Sequence, residues 1–597
     1  MAMAGAAPLG GERQRALFQG DRRSETALVL FIWAVFVLFT GYGGYAKAIE
    51  VMSTDDAMRL VEVRDFLAGQ GWYDLMQRRL NPPDGVFMHW SRVIDLPIAL
   101  LLATFDRAAS ADAALRLTVT VWPALTLLPA LFAVASLTRS LGGAGAGVMG
   151  AFLFALSPEP MGRFAPGMID HHGPQLALAL IMLACALRLD RSVRAAAGAG
   201  LAGAAMLAIG METLPTVAVI AAAVALRWAV TGPEVARGTA VFGVVFALAT
   251  LVAFLIDVAP ERWFLPVCDA LGPAHLGAAI VGGSGLALAT RSPGDGAAAR
   301  FAGLALIGVM VVLVVAFVAP ACLGDPYAAL PEIVRTEWLE KVPDARGALA
   351  FAQDELEPAL VIAMLALSGV GAAMWLSLRC AAGERWRVWT GSAVLVVSCL
   401  VACWQVRGAT FALAFAIPFL AACVAALARS GGPLRGAVGL LALNHTTLAV
   451  LGLGAAAALG LPTKPAASMA AKLCPVADYR ALNALTPGLA LNNIDSGPHI
   501  LAFSRLSAVA APYHRNVDGI AAQIEMMTGS EETARAVALS RRAAYVVLCP
   551  GDPDVRAEQK RNPSGFVAKA LGPTPPAWLT PIDLARGTAL RAFRVSP

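Results

Sequence analysis

Apolar runs dominate this chain and leave it little freedom in what it can fold into. A helix needs about 20 consecutive, mostly apolar residues to cross a bilayer. Segments of about that length lie near 26–46, 113–138, 141–157, 173–189, 194–211, 212–230, 236–256, 272–290, 299–319, 358–379, 387–406, 408–428 and 434–461. Thirteen such segments, with 58% hydrophobic and 15% charged residues overall, predict a polytopic α-helical membrane protein. A soluble chain carries roughly a quarter charged residues. The segments 141–157 and 173–189 are short and read as tilted or broken spans. Alanine and glycine abound in many spans, which suits close helix packing.

Charge then sets orientation. Arg139 and the basic clusters within 13–23, 188–194, 291–300, 379–387 and 429–435 fall on one side of a thirteen-span chain. That side is the expected cytoplasm. The other side receives the loops 47–112, 158–172, 257–271 and 320–357, the turn at Glu212, Arg407 and the tail 462–597. The net charge of +5 is therefore read as topology, not as a nucleic-acid surface. The expected organisation is a cytoplasmic tail over 1–25, a membrane domain over 26–461 and an extracytoplasmic domain over 462–597. The polar start lacks a cleavage-type signal, so the first span reads as a retained anchor. The expected location is a bacterial inner membrane, with the tail in the periplasm. Nine cysteines show no metal-type spacing, and most lie in spans as small core residues. Cys474 and Cys549 both fall in the tail and can pair if it is extracytoplasmic.

Within the loop 47–112, Met58, Val61, Phe66 and Leu67 recur at helical spacing and predict an amphipathic helix over 57–68 at the membrane surface. Asn81 to Gly85 form a turn cluster, and 95–105 is apolar but too short to cross. In the tail, 543–548 reads as a buried strand, 530–542 as a helix and 509–516 as a short strand with a turn. A small α/β domain follows.

The polar residues gather on the side away from the basic loops. Asp55 and Asp56 lie just after the first span. A helix N-cap accounts for one of the two acids and leaves the other for a metal or substrate. Asp170, His171 and His172 stand at the outer end of the fourth span. Carboxylate oxygen with imidazole nitrogen suits a divalent ion such as Mn²⁺, and a polar helix cap is the plainer alternative. Glu337 and Glu340 sit in the loop 320–357, which is long enough to be a lid. Arg407 at a span boundary either snorkels to headgroups or clamps a phosphate. Glu212 is a lone boundary acid, while Tyr513, His514 and Arg515 share one turn in the tail with Asn492, Asn493 and Asp495 nearby in sequence. These tail groups either bind acceptor or cap loops.

Taken together, the residues resemble the catalytic subunits of oligosaccharyltransferases, especially the archaeal ones. The likeness lies in an acid after the first span, a surface helix, and the run from Asn81 to Trp90 that ends in His89 and Trp90. Asp170-His171-His172 is similar to the second acidic motif of that family, and Val334-Arg335-Thr336-Glu337 to its short fifth-loop motif. Arg407 is similar to its phosphate-contacting arginine. The likeness covers roughly 26–460. Asp55-Asp56 with Arg64-Asp65-Phe66-Leu67 also resembles the first loop of aminoarabinose and protein mannosyl transferases, which use monophosphate donors.

The resemblance implies the GT-C fold and a polyprenyl-linked sugar donor with a mono- or diphosphate. It implies a divalent cofactor, Mn²⁺ or Mg²⁺, held by Asp56, Asp170 and His172, with Asp56 and Glu337 as catalytic acids. The acceptor would be a protein, a lipid or a glycan. The tail lacks the W-W-D-x-G run that recognises peptides in that family. Two other functions stay open at this stage. A metal-independent ligase would use basic and His residues instead of an acid set. A transporter or flippase would carry charges inside its spans, and these spans hold few.

Overall fold

The computed structural model describes residues 22–291, 296–325, 327–342, 345–461, 474–584 and 586–596. The expected tail over 1–25 falls largely outside the described residues, as do the prolines at the start of 462–473. The helices that follow are α1 (Arg22–Gly44), α2 (Thr54–Leu67), α3 (Arg92–Asp106), α4 (Ala111–Gly142) and α5 (Ala146–Ala155). Next come α6 (His172–Ala186), α7 (Val193–Ile209), α8 (Leu214–Thr231), α9 (Pro233–Asp257), α10 (Pro273–Ala289) and α11 (Ala297–Val318). The membrane domain closes with α12 (Leu356–Arg379), α13 (Arg385–Trp404), α14 (Ala409–Leu443) and α15 (His445–Ala458).

Each expected apolar segment is helical. Among the described residues, eight helices are long and apolar enough to cross a membrane, and five apolar helices are shorter, α5, α6, α7, α10 and α15. The architecture is that of a multi-pass membrane protein. The sequence places a boundary between 428 and 434, and the helical run Ala409–Leu443 is broken there at Gly432, whose φ of 76° and ψ of -178° are not helical. Glycine adopts that angle without a Cβ clash. The last expected span, 434–461, is itself divided at Asn444, which caps α15. The small residues do let backbones touch: a Cβ on Gly243 of α9 or Gly283 of α10 would collide with the other's carbonyl oxygen.

The helices sort their polar ends onto two faces. Asp190, Arg191, Arg227, Glu384 and Arg387 form one network of ion pairs, including Arg227–Asp190 at 3.1 Å and Arg191–Glu384 at 3.2 Å, and Arg139 pairs separately with Glu25. Away from that network, Asp112 of α4 pairs with Arg480 of the tail domain at 2.8 Å, and the turn before α6 bonds Asp56 of the loop 47–112.

The tail domain is α/β. Its sheet contains β3 (Leu489–Asn492), β4 (Ser507–Ala508), β5 (Tyr545–Leu548), β6 (Leu579–Ile582) and β7 (Arg591–Val595), after a small hairpin of β1 (Met76–Gln77) and β2 (Val86–Phe87) in the first loop. The strand order is β4-β3-β5-β7-β6, with β3 parallel to β4 and β5, and β7 antiparallel to β5 and β6. All four residues of β5 are buried, as an inner strand covered on both faces requires. Helix α16 (Ser496–Phe503) makes the crossover from β3 to β4, and α17 (Val517–Thr528) and α18 (Glu531–Ser540) follow. The short strand expected over 509–516 is thus at 507–508, and 509–516 is turn and loop.

The first loop is welded to this domain. Ile49, Met58, Leu80 and Trp90 share one apolar core with Tyr479, Ile500, Leu506 and Tyr545. Arg79 and Asn81 extend the sheet edge by backbone bonds to Ala508, 2.9 and 2.7 Å long. Arg64 and Arg79 donate to the last carbonyls of α16, where the helix dipole is negative. Helix α2 therefore does not lie as an amphipathic surface helix. Residues 56–63 are all buried, because Arg59 pairs with Glu62 at 3.1 Å and Asp95 at 2.7 Å, and Arg92 pairs with Asp95 at 2.9 Å. Charges that seemed to need water find each other instead.

Candidate functional site

The two acids at the start of α2 part company. Ser53 caps the helix, and its hydroxyl accepts from the Asp56 N–H at 3.2 Å. In return, Asp56 Oδ2 accepts from the Ser53 N–H at 2.9 Å and hydroxyl at 2.7 Å. The other oxygen, Oδ1, accepts from the N–H groups of Ile169 and Asp170, at 2.6 and 2.9 Å. Asp56 is thus fully buried and serves as a bracket between the start of α2 and the turn before α6. Burial, then the charge of Asp170, push its carboxyl up to about 6, against the pull of the Ser53 and Ile169 bonds.

That bracket brings Asp55 to Asp170. One ligand atom each from Asp55, Asp170 and His172 lie within 4.8 Å of one another. The expected ligand Asp56 is replaced in this set by its neighbour Asp55. The N–H of His172 donates to Asp170 Oδ1 at 2.9 Å, and His172 Nε2 lies 3.9 Å from Oδ2. Burial acts to raise the Asp170 carboxyl, but the imidazoles of His172 and His171 and the Arg163 guanidinium hold it below its usual range. Two carboxylate oxygens and an imidazole nitrogen form a donor set that suits a divalent ion such as Mn²⁺, Mg²⁺ or Zn²⁺.

Around this set stand groups that the sequence flagged one at a time. Glu212 Oε1 faces His171 Nε2 at 3.1 Å, and its Oε2 faces His172 Nδ1 at 3.4 Å. Trp90 packs on His171 with ring centroids 5.5 Å apart. Arg163, which sequence reasoning missed, donates to Thr410 Oγ1 at 3.1 Å, and Thr410 donates to Glu159 at 2.7 Å. Those bonds tie the segment before α6 to the first turn of α14. Arg407 lies in the turn that leads into that helix, half-buried at the same face.

The other expected site residues lie elsewhere. Glu337 ends a short helix, Glu332–Glu337, whose Val334 packs on Ile520 and Ile524 of α17. Its carboxylate pairs with Lys341 and, at 3.7 Å, Arg561. Glu340 is exposed. Neither joins the Asp55 set among the described residues. With Thr336, Thr528 and Arg561, Glu337 lines a groove between the loop 320–357 and the tail domain.

His89, His514 and Arg515 do converge, on an acid that the sequence did not single out. Asp269 accepts from Arg515 through both oxygens, at 2.9 and 2.8 Å, and meets His514 Nε2 at 2.7 Å. Burial would raise the Asp269 carboxyl, yet His514 and Arg515 hold it far below its usual range. The His89 ring lies 4.8 Å from that of His514. Burial first, then the neighbouring His514 and Arg515, lower His89 to about 3. Asp269 follows Cys268, which is disulfide-bonded to Cys322, and Cys474 is bonded to Cys549. The tail pair was expected if the tail is extracytoplasmic, whereas the pairing of Cys268 with Cys322, in two other loops, was not singled out. Asn492 and Asn493 are buried and bonded within the tail domain, Asn493 to Asp552 at 3.0 Å. Asp495 is pushed well up by burial and by the charges of Asp552, Asp554 and Asp55.

No protein-family model and no curated protein matches the sequence. Solved structures do match in fold, and the likeness is to an archaeal oligosaccharyltransferase. One match is to the archaeal oligosaccharyltransferase AglB of Archaeoglobus fulgidus, in complex with an inhibitory peptide and a dolichol-phosphate. It has a TM-score of 0.63 at 14% identity and covers 91% of this chain and 71% of that one. The same organism's enzyme tethered to an acceptor peptide containing the NVT sequon matches at TM-score 0.59 and 14% identity, over 87% and 68% of the chains. Its complex with Zn and sulfate matches at 0.56 and 15%, over 87% and 67%.

Proposed function

We propose that this protein is an integral-membrane glycosyltransferase. It transfers a sugar or oligosaccharide from a polyprenyl-phosphate or polyprenyl-diphosphate donor to an acceptor at the extracytoplasmic face. The observation that carries the reading is the meeting of Asp55, Asp170 and His172 at one end of a GT-C helix bundle. In this reading those three side chains hold a divalent ion. When bound, the ion offsets the negative charge that develops on the phosphate leaving group.

The chain's own residues supply the rest. Arg407 binds the donor phosphate by charge-assisted hydrogen bonds, with its lipid lying among the helices. Asp56 fixes the spacing between Asp55 and Asp170 through its four hydrogen bonds. Glu337, on the groove beside the tail domain, orients the acceptor as the loop 320–357 closes and excludes water, whose attack is the competing reaction. The acceptor attacks the anomeric carbon opposite the leaving phosphate, so the configuration inverts. The acceptor is a protein, a lipid or a glycan.

The test is transfer by purified protein in detergent from radiolabelled polyprenyl-linked sugars, with EDTA or with added Mn²⁺. Sugar release that needs the ion and is lost in Asp170→Ala is the expected result. Release indifferent to EDTA would retain the transferase and remove the metal. Absence of release from every donor, mono- or diphosphate, would return the fold to a transport role.

A further inference from the structure

The carboxylate of Glu212 spans two adjacent imidazoles and has no part in the transfer scheme above. It comes from the turn Met211–Thr213 between α7 and α8. The turn is firmly held. Thr213 Oγ1 donates to the Gly210 carbonyl at 3.0 Å, and a Cβ on Gly210 would lie 2.8 Å from Gln175 Nε2 of α6. Glycine at 210 therefore lets the turn come down onto α6, next to the histidines.

The two nitrogens of His172 face different acids. Nδ1 faces Glu212 at 3.4 Å, and Nε2 faces Asp170 at 3.9 Å. A neutral imidazole has one N–H and one lone pair, and the hydrogen bond made by one nitrogen decides which one carries the proton. A proton kept on Nδ1 by Glu212 leaves the lone pair on Nε2, the side of Asp170 and Asp55. With Nε2 protonated instead, His172 would donate to Asp170 and offer no ligand atom there.

We infer that Glu212 is a positioning residue of this centre, fixing the tautomer and ring orientation of His172 so that Nε2 is free to bind a divalent cation with Asp55 and Asp170. The inference rests on the metal-binding reading above. A carboxylate behind a ligating histidine also makes the imidazole a better donor, and losing such a partner weakens metal binding by about 10–100-fold.

The experiment measures Mn²⁺ affinity by titration calorimetry on the purified full-length protein, for wild type, Glu212→Gln and Asp170→Ala. Transfer is assayed in parallel against Mn²⁺ concentration. Thermal midpoints without metal, equal to wild type, show that each variant is folded. Glu212→Gln is expected to bind Mn²⁺ about 10–100-fold more weakly. Its turnover should recover to near wild type at saturating Mn²⁺, because the ligands themselves remain. Unchanged affinity in Glu212→Gln, with Asp170→Ala impaired, would overturn the positioning role and leave the metal centre standing. Turnover lost at every Mn²⁺ concentration would also overturn it, making Glu212 a direct ligand or catalytic acid. A wild type that binds no Mn²⁺ would overturn this inference and the metal reading together.

Discussion

Asp55 and Asp56 are chemically identical neighbours whose fates differ by one position in a helix. The cap rule separates them. With Ser53 as N-cap, the third helical residue is the one that can reach back to the cap, and that residue is Asp56. Asp55, one step earlier, points elsewhere and meets Asp170 and His172. The serine and the spacing are visible in the sequence and show that a cap takes one acid, yet the family likeness pointed to Asp56 as the ligand. What was not legible is the second bond set of Asp56, to the backbone of Ile169 and Asp170, since the partner lies over 110 residues away. The same holds for Asp269 as the partner of His514 and Arg515, which no local pattern announces. Opposite outcomes are expected for the two acids. Asp56→Ala removes a cap and orphans two buried N–H groups, which costs on the order of 3 kcal/mol and lowers the thermal midpoint. Asp55→Ala should leave the midpoint nearly unchanged and abolish ion-dependent transfer. Thermal melts and transfer assays on both variants check this, and the reverse pattern would return Asp56 to the metal.

Elements were readable where their signal is local. Runs of about 20 apolar residues make helices in lipid regardless of context, since no other backbone arrangement satisfies its polar groups there. The strand at β5 and the helix α18 were legible for the same local reasons. Burial of α2 was not, because it depends on Asp95, 36 residues from Arg59, and on α16 arriving from the tail. The loop between α9 and α10 also gains its role from a distant element. Its Asp269 clamps Arg515 and His514, so it pins the tail domain to the membrane domain. Asp269→Asn loses the charge and one acceptor of a half-buried bidentate pair. Such a pair lies between exposed and buried ones in strength, so the loss is about 1–2 kcal/mol. Faster hydrogen exchange over 259–271 and 512–516 should report it. The pH dependence has a definite sign. The folded carboxyl lies below its unfolded value of 3.8, so the clamp is fully present above that value. It is lost as pH falls further toward the folded value. Wild type should show this extra exchange only on acidification below about pH 4, while Asp269→Asn shows it at neutral pH. Equal exchange in both at pH 7 would rule the clamp out.

At the scale of the molecule, two chemistries separate onto two faces, and together they predict an orientation that can be tested. One face holds the Arg-rich network around Asp190, Arg227, Glu384 and Arg387. The other holds the Asp55 set and both disulfides, Cys268–Cys322 and Cys474–Cys549. Arginine near span ends is retained in the cytoplasm. Disulfides persist outside it, where thiols are not kept reduced. These rules are independent, and they assign the same direction. The orientation they predict has the tail domain on the extracytoplasmic side. Ser564→Cys and Gly383→Cys place one reporter on each face, both at exposed positions. A membrane-impermeant maleimide added to intact cells should label Ser564→Cys above the wild-type background. It should reach Gly383→Cys only after the membrane is opened. The reversed pattern would put both disulfides in a reducing compartment and the sugar-transfer site on the cytoplasmic side. Non-reducing gels of the same samples would then show the thiols free, because neither pair would survive there. Labelling and disulfide state must therefore change together, which makes the orientation testable by two readouts in one preparation.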